Sequence, residues 1–276
     1  MQQINTPLVN PYLPIIQARI SKSLKQGIIP WRQGFSPYGP ARTYLDNRHL
    51  TGISWLICNF TTPYPLPYYL TWSQIKQLGG KVKKQSKAEF IYYQKADRFL
   101  RFPIYNIACV DGIKTSFVKC NTNQQAIYTK IDTWIMSLLH TIPTTPSLQR
   151  LAQWDSTKEV IKLPVTKNLS SKYYWHLFKA IMAWTGSTKS LNRLTFFDML
   201  LHYPTAFQQE QLICELGAAY LCGYFGLYND WDVDTMRGEL VEWYYLMERY
   251  PDVLLFSISR MRCSLVFLLP TNYKLR

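Results

Sequence analysis

The chain has 276 residues, 47% of them hydrophobic, enough to bury one sizeable core or two modest ones. Charged residues make up 17% and aromatics 15%, and a chain this rich in rings is not an intrinsically disordered one. The net charge of +14 is uneven: residues 1–130 carry 17 Lys and Arg against 4 Asp and Glu, while residues 131–276 carry 14 against 13. A local excess of that size attracts polyanions, whereas solubility alone does not require charge to gather in one half.

Met1 to Asn10 is polar and lacks the apolar segment of a signal peptide. No apolar run reaches the ~20 residues of a membrane span. The longest candidate, Val253 to Pro270, is interrupted by Arg260 and Arg262. Cys58, Cys109, Cys120, Cys214, Cys222 and Cys263 form no CxxC pair and read as free thiols of a reducing, cytoplasmic compartment.

Pro7 to Gln26 is predicted to be a helix, with Leu13, Ile16, Ile20 and Leu24 on one face, stopped by Gly27 and Pro30. Gly34 to Pro40 is a loop, and Leu50 to Phe60 a largely apolar helix. Pro63, Pro65 and Pro67 form a stiff connector. Thr71 and Gln74 have the spacing of a capping box, opening a short helix that ends at Gly79-Gly80. Strands are expected at Lys81 to Lys84, Phe90 to Tyr93 and Phe102 to Val110, with another at Ile113 to Cys120. A helix over 124–139, a Thr/Pro turn at 141–146 and a pair of strands around Leu151 and Ile161 follow. The remainder reads as four helices: Lys172 to Trp184, Thr205 to Tyr220, Arg237 to Arg249 and Asp252 to Leu268.

Basic and planar residues alternate in the first half. Trp31-Arg32, Arg42 with Tyr44 and Arg48, Trp72, the lysines Lys81, Lys83, Lys84 and Lys87, Tyr92, and Arg98 with Arg101 are the candidate contacts to nucleic acid. Cations neutralise phosphates, and exposed rings stack on unpaired bases at roughly 1–3 kcal/mol each, which favours single strands over duplex. Any one of these rings is as readily explained as core. Composition does not choose between DNA and RNA.

Several fragments, taken in order, resemble the ArdC-type antirestriction family. They are Gly27 to Trp31, Leu50 to Ile53, Tyr69 to Trp72, Gly79-Gly80, Tyr105 to Ile107, Ile161 to Pro164, Trp184-Thr185-Gly186, Leu191 to Arg193 and Glu215 to Ala219. The resemblance implies an N-terminal single-stranded-DNA-binding domain followed by a zincin-like metallopeptidase domain. It also implies a mobile-element or phage setting. The family places H-E-L-x-H directly before W-T-G, two histidines one helical turn apart for zinc with a glutamate as general base. This chain reads Lys179-Ala180-Ile181-Met182-Ala183 there. Lys179 and Ala183 replace the ligands and Ala180 the base.

His49, His140, His176 and His202 are the only histidines, and none stands four residues from another. His176, one turn before Lys179, reads as a packed or surface histidine. No phosphate loop and no glycine-rich dinucleotide loop is present.

The expectation is an α+β protein with a sheet-and-helix domain at 1–130 and a mainly helical, zincin-like domain at 131–276. It binds single-stranded DNA, or RNA, holds no metal or other cofactor, and is not an enzyme. In the rival reading the second domain docks a nuclease, replication or defence protein. Trp175, Trp184, Trp231, Trp243, Tyr244 and Tyr245 are compatible with such an interface. In the family an acidic residue of a later helix helps form the metal site. Glu215, or else Glu210, is then expected to pair with Lys179 in place of the ion, unless both side chains turn out to solvent.

Overall fold

The computed structural model describes residues 11–95, 98–117, 119, 123–166, 168–193, 205–227 and 237–269. Helix α1 (Leu13–Lys25) buries Leu13, Ile16, Ile20 and Leu24, the face its periodicity marks. Pro14 sits in its first turn, where a missing N–H costs nothing. A 3-10 turn (Pro30–Arg32) follows, then β1 (Arg42–Thr43) and α2 (Gly52–Phe60). Next come β2 (Tyr68–Thr71) and α3 (Trp72–Gln77). The Thr71 Oγ accepts from the Gln74 N–H at 3.3 Å, and the Gln74 side chain accepts from the Thr71 N–H at 2.8 Å, so the capping box is formed. After β3 (Lys81–Val82), the long hairpin β4 (Glu89–Lys95) and β5 (Arg98–Asn106) leads to β6 (Val110–Asp111).

The first sheet has the order β1-β2-β5-β4, with β1 parallel to β2 and the other pairs antiparallel. β3 and β6 form a separate antiparallel pair. The strand expected over 113–120 is a correction. Residues 113–117 and 119 belong to no strand. Ile113 and Phe117 instead pack on the small cluster of Leu70, Ile75 and Ile107. Phe117 stacks on Tyr68 with ring centroids 4.8 Å apart, so side-chain packing holds this segment without a ladder.

Helix α4 (Gln124–Leu139) spans the residues expected and contains the 130/131 boundary. The Thr/Pro turn is a second correction: Thr144–Ser147 is strand β7. It lies at the edge of a sheet ordered β7-β9-β8, with β8 at Gln153–Asp155 and β9 at Val160–Pro164. An edge strand tolerates Pro146, which has no N–H to give to a ladder.

The last helices are α5 (Ser171–Trp184), α6 (Thr205–Phe225), α7 (Arg237–Arg249) and α8 (Val253–Leu268). α5 packs along α6, and α6 along α8. Gly217 permits the first of these contacts. A Cβ there would lie 2.6 Å from the Met182 sulfur, and Met182 is fully buried. Buried residues from both halves form one contiguous cluster that includes Trp31, Trp55, Tyr174, Phe178, Leu216 and Trp243. No helix of the described residues is long and apolar enough to cross a membrane.

Candidate functional site

The Ser170 hydroxyl caps α5 by accepting from the Tyr173 N–H at 3.1 Å. This fixes a helix whose partly open face carries His176, Lys179 and Ala183. α6 lies opposite and brings Glu210, Cys214 and Glu215 towards it. The Lys179 Nζ donates to the Glu215 Oε1 at 2.5 Å. Glu215, not Glu210, is therefore the partner of Lys179.

A third group joins them from the N-terminal half. The Arg32 Nε donates to the Glu215 Oε2 at 2.9 Å, and the Arg32 Nη2 to Oε1 at 2.7 Å. Arg32 also pairs with Glu239 of α7. Exposure falls from 29% at Lys179 to 8% at Arg32 and 1% at Glu215. Burial acts to raise the Glu215 pKa, but the charges of Lys179 and Arg32 outweigh it and hold the carboxyl below its ordinary range. On Arg32, burial acts downward and is outweighed by Glu215, so its pKa is raised.

Glu210 is taken by Arg193, at 2.7 Å from Nη2. Arg193 also donates to the Met182 carbonyl at 2.9 Å and the Thr185 hydroxyl at 2.7 Å, and reaches Ser264 on α8. His176 is pushed down to about 4, first by burial and then by the Lys179 charge, so its imidazole is neutral near pH 7. A cleft of about 390 Å³ lies over this face, lined in part by Trp154, His176, Lys179, Ala183, Phe207 and Cys214.

These residues do not fit a divalent metal. Ala180 and Ala183 have no donor atoms. The one buried carboxylate facing Lys179 already accepts from two cations, and both would repel an incoming dication.

The nucleic-acid candidates divide sharply. Two are corrections. Trp31 is fully buried, edge-on to Trp243 at 6.2 Å, and Arg32 is locked on Glu215. Neither can meet a base or a phosphate, because the 3-10 turn directs both inward. Arg42 is half-buried, donates to the Pro40 and Tyr38 carbonyls, both at 3.1 Å, and lies over the Tyr68 ring. Tyr44 is half-buried in the Tyr68–Phe117 cluster. Arg48 is exposed and paired with Asp46.

Trp72 is 52% exposed, with the Lys76 Nζ 3.7 Å from its ring centroid. Lys81, Lys83, Lys84 and Lys87 are all exposed, on β3 and the turn after it. Tyr92 is half-buried beside Tyr12, and the exposed Arg101 lies over the rings of Tyr12 and Phe90. Arg98 opens β5, and its side chain lies outside the described residues.

Of the rings offered as a protein interface, Trp175, Trp184 and Trp243 are core. Tyr245 is 66% exposed, Tyr244 is half-buried and Trp231 lies outside the described residues.

Residues 12–103 match the family described as the N-terminal domain of anti-restriction factor ArdC. This segment is similar to that N-terminal domain. Two solved structures share the fold far beyond it. The antirestriction protein ArdC of plasmid R388, metal-free, aligns with a TM-score of 0.69 at 19% identity, covering 94% of this chain and 97% of its own. The same ArdC with Mn(II) bound aligns at 0.70 and 20% identity, with the same coverage. No curated protein sequence matches the chain. The ArdC fold thus extends over α5 and α6, where this chain carries Lys179 and Glu215. Sequence reasoning missed Arg32 as the third member of that group. Its only signal was a basic residue in an otherwise buried turn.

Proposed function

We propose that this chain is an antirestriction-type protein of a mobile element or phage that binds single-stranded nucleic acid and is not a peptidase. The binding surface is the exposed lysine row Lys81, Lys83, Lys84 and Lys87, with Trp72 and Arg101 as a further accessible ring and cation of the same half. The second half keeps a zincin-like scaffold without its chemistry. One observation carries that part of the reading: an ammonium lies 2.5 Å from Glu215, on the turn where the resemblance puts a metal ligand. A cation held there removes both the Lewis acid and the water it would activate. Cytoplasmic residence accords with Cys58, Cys109, Cys214, Cys222 and Cys263, all of them free thiols.

A second reading, in which the C-terminal half docks a protein, draws on the exposed Val241 and Tyr245 of α7. The deciding experiment is competition of labelled single-stranded DNA against duplex DNA and RNA for the full chain at two salt concentrations. Preference for single strands, weakening with salt, supports the first reading. Absence of binding to any nucleic acid leaves only the docking role.

A further inference from the structure

Helices α1 and α7 pack side by side and run in opposite directions. The Gln17 side chain donates to the Met247 carbonyl at 2.7 Å, the Lys25 ammonium lies 5.5 Å from the Tyr244 ring centroid, and Arg32 pairs with Glu239. Residue numbers therefore rise along one helix as they fall along the other. A groove of about 520 Å³ follows the seam, lined in part by Ala18, Lys22, Lys25 and Glu248.

Each helix leaves its outer face to solvent. On α1, Ala18, Lys22 and Lys25 are exposed, opposite the buried Ile16, Ile20 and Leu24. On α7, Val241, Glu242, Tyr245 and Glu248 are exposed, opposite the buried Trp243, Leu246 and Met247. Arg249, also exposed, lies over the Tyr250 ring at 5.6 Å. Across one seam, a helix presenting lysines thus adjoins a helix presenting glutamates, with an exposed valine and tyrosine between them.

Such a face is complementary to itself. A two-fold axis along the seam lays α1 of one copy on α7 of the other, twice. It keeps every residue at its own level along the seam. Lys25 is level with Tyr244 and Gln17 with Met247, so Lys22 and Lys25 of one copy come down between Glu242 and Glu248 of the other. Val241 and Tyr245 then cover Ala18 and the lysine stems. An axis across the helices instead sets lysine on lysine. The net charge of +14 opposes any pairing, but at ~0.15 M salt that repulsion fades beyond ~8 Å, and the facing side chains are closer than that.

We propose that the α1–α7 face binds a second copy of this chain in a weak, symmetric dimer. Two helices of 13 residues offer a face about 20 Å square. That is less than the ~800 Å² per partner of a stable complex, which makes the pairing concentration-dependent. The proposal stands apart from strand binding, and it names the partner of the α7 residues on which the docking reading draws.

Sedimentation equilibrium of the full chain, free of nucleic acid, is run at about 1–300 µM in ~0.15 M salt. A Lys22→Glu, Lys25→Glu variant and a Glu242→Lys, Glu248→Lys variant are run alone and as an equimolar mixture, with thermal melts to show that each is folded. Wild type should rise in average mass from one chain towards two. Each variant alone should raise the dissociation constant roughly tenfold or more, because like charges then meet. The mixture should pair at least as tightly as wild type, since an all-lysine face meets an all-glutamate one. A wild type that stays monomeric throughout overturns the dimer. So does a dimer that both variants form unchanged, or a mixture that stays monomeric where wild type pairs.

Discussion

Removing Lys179 and removing Arg32 are expected to have unequal effects, although both contact Glu215. Lys179 is 29% exposed and supplies one hydrogen bond, so water enters when it is cut to alanine. Arg32 stays behind with two charge-assisted bonds to Glu215, at 2.9 and 2.7 Å. The loss from Lys179→Ala is then about 1–2 kcal/mol, a Tm shift of about 2–8 °C in a chain of this size. Arg32→Ala removes both of those bonds and the contact to Glu239, and leaves a carboxylate that is 1% exposed with one partly solvated partner. Stranding a buried charge costs about 3–5 kcal/mol.

Glu215→Gln should cost less than Arg32→Ala, because Arg32 keeps Glu239 as a counter-ion and the amide still offers one oxygen as acceptor. Replacing Arg32, Lys179 and Glu215 together with Met, Met and Leu should recover most of the loss, since no buried charge is left over. Changing only Lys179 and Glu215 to apolar residues should not, because Arg32 would remain. Thermal melts and urea titrations of the five proteins give the ordering. Arg32→Ala melting within a degree of wild type would refute the buried network. So would a triple variant less stable than Arg32→Ala.

The depressed Glu215 carboxyl also fixes a pH dependence. Its folded pKa lies below the ordinary 4.5, so its contribution to stability is present above that value and is lost as pH falls through the folded pKa. Arg32→Ala should flatten acid unfolding in that window, as urea midpoints against pH would show. Exchanging Lys81, Lys83, Lys84 and Lys87 for alanine should make the salt slope of strand binding shallower by up to about 3, with melting unchanged. Trp72→Ala should weaken strand binding by about 1–3 kcal/mol, measured by anisotropy, without moving Tm. Trp31→Ala should do the reverse in a thermal melt, costing about 3–5 kcal/mol of stability through a core cavity.

The helices were legible because apolar spacing at three and four residues survives in any context. α4, α5 and α7 begin and end close to where that spacing does, while α1, expected from Pro7, begins at Leu13, residues 7–10 lying outside the described residues. The Thr71–Gln74 cap was legible because its partners are three residues apart. β7 was not, since a Thr-Pro run at a sheet edge has the composition of a turn. Lys179 and Glu215 were paired correctly because both sit on long helices whose facing was implied by the resemblance. Trp31-Arg32 reads from sequence like any exposed ring-and-cation pair. What turns it inward is Glu215, 183 residues away, and no local pattern carries that distance. The same holds for Lys25 and Glu248, which share a groove only after α7 folds against α1.

The claim that an ion pair stands in for the metal is tested most directly by equilibrium dialysis of the full chain against zinc and manganese. Elemental analysis would be run on wild type and on a variant carrying Lys179→His, Ala180→Glu and Ala183→His. Wild type should retain well under one metal per chain, and the variant should retain more. One tightly held equivalent in wild type, lost on mutation of Glu215, would contradict the ion-pair assignment.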